Sequence, residues 1–157
     1  VLAHSLIMVE TTNFAALIPE LSDWNEGRGI APDDWISCVG NYELAVGYSL
    51  IFWPNFTEFE TYILRADFEE SSLRGFEKMT KGNRVAVEAV MNHVHIADIH
   101  PNVTCSSDEQ LRYLGRTPKN IYILKLHAEF PGRRFNVTFN DEPGLEAIDY
   151  ELTFFQK

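Results

Sequence analysis

A chain of 157 residues with 45% hydrophobic residues is long and apolar enough to bury a sizeable core, which excludes an intrinsically disordered polypeptide. Its formal net charge of -10 repels phosphate backbones and anionic lipid, and the densest basic cluster is only Arg133-Arg134, so neither nucleic acid nor a membrane surface is an expected partner. Cys38 and Cys105 stand far apart and outside any CxxC spacing, which argues against a thiolate zinc site or a disulfide framework and for a reducing cytoplasm.

The chain reads as a single domain, 1–157. The opening VLAHSLIM lacks the basic start of a signal peptide. Met8 is a candidate natural start, with residues 1–7 an extraneous or disordered extension. No apolar run approaches the roughly 20 residues of a membrane helix. Asn-x-Thr triplets occur at Asn55, Asn102 and Asn136 and would matter only after secretion.

Asn13 is placed to cap a short helix over 14–25, which Pro19 interrupts, and Gly27-Arg28-Gly29 breaks the chain. Pro32-Asp33-Asp34 looks like a helix start. From there Trp35, Val39, Tyr42, Val46, Leu50 and Trp53 recur at helical steps, as an apolar stripe expected to face the core. Gly40-Asn41 splits this stretch into two helices, with strand as the alternative for 44–52. Residues 56–64, FTEFETYIL, alternate as one half-buried antiparallel strand. Glu69-Glu70-Ser71 opens a helix to about Met79, and Lys81-Gly82-Asn83 closes it.

The stretch 84–100, RVAVEAVMNHVHIADIH, holds no Gly or Pro and fits helical spacing nearly all round, as expected of a helix buried centrally. Pro101 stops it. Ser106 and Glu109 have capping-box spacing for a short helix to about Leu114. Thr117-Pro118 opens a second, with Ile121, Leu124 and Ala128 as its apolar side. Two alternating strands, 135–139 and 148–154, flank a Pro-Gly turn and form the C-terminal hairpin. The expected class is α+β: several helices packed around a central buried helix (about 84–100) and against a small antiparallel sheet.

One narrow polar line, Glu88, Asn92 and His95, crosses the central helix at i, i+4 and i+7. These three residues are the candidate ligand-binding set. The alternative is a buried polar network that fixes how the helix packs. His93, His95, Asp98 and His100 suggest a metal site, but on a helix His93 and His95 point about 160° apart, so no metal is expected. Asp141, Glu142 and Asp149 lack the Asp/Asn ladder of a calcium loop and read as a solvated turn. Cys38, within ISCVG, reads as a small buried hydrophobe rather than a nucleophile. Trp24, Trp35, Trp53, Tyr42 and Tyr48 are candidates to line a pocket, though aromatic stripes at this spacing are mostly core.

No phosphate-cradling loop, nucleophile elbow or dinucleotide fingerprint is present, and no cofactor is expected. The expectation is a small non-catalytic binding or interaction domain with a protein or small-molecule partner. Its rivals are a small hydrolase-like enzyme using His95 with Glu88 in an aromatic pocket, and an acidic inhibitor of a basic protein.

Overall fold

The computed structural model describes residues 12–103 and 107–157. They fall into two compact units, one ending at Asn41 and one comprising Tyr42–Lys157. In the first unit Asn13 caps α1 (Phe14–Leu17), its side chain accepting from Ala16 N at 3.3 Å. Pro19 then opens a 3-10 turn, Pro19–Ser22, which carries the buried Leu21. In the short α2 (Trp24–Gly27), Asn25 and Glu26 adopt left-handed φ of 55° and 60°. α3 (Pro32–Val39) starts where the Pro-Asp-Asp signal places it and ends at Gly40.

The second unit begins with α4 (Tyr42–Phe52), so the helical reading of this stretch holds over the strand alternative. The segment read as one strand is instead a hairpin. β1 (Phe56–Phe59) and β2 (Tyr62–Arg65) pair antiparallel, with Phe59 opposite Tyr62. The reversal runs through Glu60, held at φ 55°. Glu60 is not one of the usual turn residues, which is why period-2 alternation hid the turn. α5 (Glu70–Thr80) follows, and Lys81 and Gly82 turn the chain with positive φ.

The helix expected over 84–100 is half that length. α6 runs Arg84–Met91, and Asn92 is its C-cap. Beyond it Val94 and His95 form the short strand β3, and Ile96–Ile99 makes a 3-10 turn. Asn and β-branched Val are weak helix formers. Here Val94 gains a strand partner, Leu152, that helix continuation would forfeit.

The two short helices expected around Thr117 are one helix, α7 (Asp108–Glu129), with Pro118 inside it. Ser106 lies outside the described residues. The capping box is made one residue on: Ser107 Oγ accepts from Gln110 N at 3.2 Å, and Gln110 Oε1 accepts from Ser107 N at 2.9 Å. Thr117 does not cap a new helix; its hydroxyl donates back to Tyr113 O at 3.0 Å. The buried face is Leu111, Gly115, Pro118, Tyr122 and Leu126, whereas Leu124, expected inside, is 70% exposed. Burial of this face on both sides of Pro118 offsets the hydrogen bond the proline removes.

β4 (Phe135–Phe139) and β5 (Glu151–Gln156) form the expected antiparallel hairpin, Val137 opposite Phe154. Ile148, expected in the strand, falls instead in a 3-10 turn, Ala147–Asp149, and is half exposed. β5 is the central strand of the order β3-β5-β4. α7 covers the face bearing Leu152 and Phe154, and Phe139 packs inward against it. Phe56 joins the hairpin of β1 and β2 to this core, its ring centroid 5.3 Å from that of Tyr122 and 5.0 Å from that of Phe154. A smaller cluster of Tyr62, Leu64, Leu73 and Val87 lies under α5 and α6. The architecture is α+β, and no described helix is long and apolar enough to cross a membrane.

Candidate functional site

Asn83 starts α6, its side chain accepting from Ala86 N at 3.1 Å. One turn into the helix Glu88 is fully buried, and Asn92, one turn further, is buried as completely. Their partners are strand edges. Glu88 Oε1 accepts from Ile63 N at 2.8 Å and from the side-chain amide of Gln156. Its Oε2 accepts from Gln156 N at 2.6 Å. Asn92 Nδ2 donates to Ile63 O at 2.9 Å and to Phe154 O at 3.2 Å, while its Oδ1 accepts from Arg65 N at 3.1 Å.

Ile63 and Arg65 lie on the edge of β2 that β1 leaves open, and Phe154 and Gln156 lie on β5 beyond the reach of β3. The two side chains therefore stand where a strand would, joining the two sheets by hydrogen bonds that neither strand could leave unmade in a dry interior. Thr153 adds a third tie, donating to Ala89 O at 2.6 Å.

His95 does not join them. With the helix ended at Met91, it sits on β3 opposite Glu151. Its Nδ1 lies 2.8 Å from Ile148 O and 3.3 Å from Glu151 Oε1. Of the three residues expected to share one line, the structure brings Glu88 and Asn92 together and places His95 elsewhere. The helical argument that separated His93 from His95 also fails, since their rings pack edge-on with centroids 5.0 Å apart. No three His, Cys, Asp or Glu side chains among the described residues are grouped to hold a metal ion. His100 faces Tyr48 of α4, with 2.6 Å between the phenol oxygen and Nε2. At the terminal hairpin Asp141 pairs with Arg116 at 2.7 Å.

Cys38 is exposed on α3, not buried as its apolar neighbours suggested; Cys105 lies outside the described residues. A cavity of about 240 Å³ lies between α5 and α6, with Phe68, Phe76, Val90 and Met91 on its apolar side and Arg65 on its polar side. The Arg65 guanidinium pairs with Asp67 at 3.0 Å. Nothing in the sequence pattern marks this cavity, because its residues come from three separate elements.

The largest departure from expectation is α4. Tyr48 bonds His100, and Trp53, just beyond the helix, lies 4.8 Å under the Lys125 ammonium of α7. The stripe at helical spacing nevertheless faces outward. Tyr42 is 91% exposed, Val46 and Leu50 63% each, and Trp53 56%. These four side chains fall within about 80° of arc on a helix.

No family model matches this chain, and no curated protein or solved structure is significantly similar to it.

Proposed function

We propose that this protein is a non-catalytic interaction module whose working surface is the outward face of α4. The observation that carries the reading is the exposure of Tyr42, Val46, Leu50 and Trp53, an apolar stripe with the spacing of a buried one. Exposed contiguous apolar surface of a few hundred Å² marks a site of association more often than it occurs idly. Only Glu43 carries charge between Tyr42 and Trp53, in a chain of net charge -10. Charge depletion with aromatic enrichment is the composition of an interface centre.

The chemistry of the polar residues supports the same reading. Both oxygens of Glu88 and the whole amide of Asn92 are occupied by strand backbone and Gln156, which supports a role in holding the fold rather than in binding a ligand. An acid–base pair of Glu88 with His95 draws no support from partners that lie on different elements. Several acids are matched by cations, as in the Arg74 cluster with Glu60, Glu70 and Glu77, which favours an ordinary solvated surface over a concentrated acidic one.

The test is the double variant Val46→Glu/Leu50→Glu in the full chain. A surface face is dispensable to the fold, so in dilute protein, where no partner occupies the face, the expected melting temperature stays within a few degrees of the parent while binding of an apolar dye falls. A drop of more than about 10 °C, equivalent to several kcal/mol in a chain of this size, would mean that the stripe is packed in the fold and would overturn the reading.

A further inference from the structure

Resting on that reading, we propose that the occupant of the α4 face is a second copy of this chain, packed as an antiparallel helix pair about a two-fold axis. Three observations carry it.

The first is spacing. Tyr42, Val46, Ser49 and Trp53 follow one another at steps of four, three and four. That is the seam by which two helices pack at a small crossing angle. A two-fold axis near the middle of α4 sets Tyr42 of one protomer against Trp53 of its partner and Val46 against Ser49, so the same patch serves both copies, as a two-fold contact requires. Each bulky aromatic then faces the other, and the small Ser49 leaves room for Val46.

The second is charge. Two copies of a chain at -10 repel one another over most of their surface. Between Tyr42 and Trp53 only Glu43 is charged, so this face is one on which like copies approach with little of that penalty. Antiparallel packing also sets the helix dipoles in their favourable order.

The third is area. Tyr42 and Trp53, at 91% and 56% exposure, offer on the order of 300 Å² between them. Val46 and Leu50, each 63% exposed, carry the face towards the roughly 800 Å² per partner of a stable association.

The experiment is sedimentation velocity on the full chain over a concentration series from about 1 to several hundred micromolar. The expected result is reversible dimerisation, with Val46→Glu or Leu50→Glu weakening it at least tenfold. Met79→Glu, at a residue 76% exposed on α5, should leave it unchanged. Cross-linking is a second, independent measurement. On a Cys38→Ser/Cys105→Ser background, mixing Val46→Cys protein with Ser49→Cys protein should give an oxidised covalent dimer faster than either preparation alone.

A monomer at every concentration, a dimer indifferent to Val46→Glu, or equal cross-linking with and without mixing would each overturn the second copy. A monomer whose stability is untouched by Val46→Glu/Leu50→Glu removes only this occupant. A face needed for folding removes the interaction reading as well.

Discussion

Gln156, in the last strand, donates both its backbone N–H and its side-chain amide to the two carboxylate oxygens of Glu88, 68 residues earlier. The same carboxylate accepts from Ile63 N on β2, so one side chain of α6 closes a gap between two sheets. Removing it strands three donors in the interior, each at a cost of about 1–3 kcal/mol. Glu88→Ala should therefore destabilise the second unit by at least about 3 kcal/mol. Glu58→Ala removes a carboxylate that pairs with Arg133 at a half-exposed position, and should cost under about 1 kcal/mol. Paired denaturant melts check this; a smaller loss for Glu88→Ala would refute the clamp. Glu88→Gln is also expected to destabilise, because it turns an amide donor towards groups that all donate.

Gly115 of α7 and Phe139 of β4 meet so closely that a Cβ on residue 115 would lie 2.0 Å from the ring. Gly115→Ala gains helix propensity, but the ring must move, and overpacking of this kind costs about 1–3 kcal/mol. The expected net result is loss of stability. In a double-mutant cycle Phe139→Leu should cost less in the Gly115→Ala background than in the parent. Additive costs would show that the contact does not constrain the pair.

Arg74 hydrogen-bonds Glu60, and this holds the Glu60 carboxyl below its ordinary value of 4.5. A carboxyl with a lowered folded-state pKa stabilises above its unfolded pKa, and that contribution is lost as pH falls through the folded value. Unfolding midpoints should thus decline below about pH 4.5. The decline should be shallower in Arg74→Gln, and shallower again at high salt because the pair is exposed. An acid limb unchanged by Arg74→Gln would contradict the assignment.

Burial raises the Tyr62 hydroxyl above its ordinary 10.0, and its bond to the Glu77 carboxylate adds to this; burial likewise raises Tyr122. Both phenols keep their proton more firmly when folded. Their contribution is complete below pH 10 and is lost as pH rises through the folded values. Stability should fall on the alkaline side, and Tyr62→Phe should flatten part of that fall. Phenolate absorbance titration of the folded chain gives an independent reading: at least two of its six tyrosines should ionise late.

The local signals in this chain determined its local elements. Asn13, Pro32 and Asn83 stand where α1, α3 and α6 begin, because caps and proline act within one turn of backbone. Alternation placed β4 and most of β5 for the same reason. The tertiary structure decided what depends on a distant partner. α6 stops at Met91 because Asn92 is drawn to Ile63 and Phe154, and Val94 to Leu152. That early stop separates His95 from Glu88, which a continuous helix would have aligned. α7 runs through Pro118 because Leu111 and Tyr122 are buried together on either side of it. The stripe from Tyr42 to Trp53 shows the limit of periodicity most directly. A 3.6-residue repeat tells which side chains share a face, but whether core or solvent meets that face depends on what the rest of the fold leaves beside it.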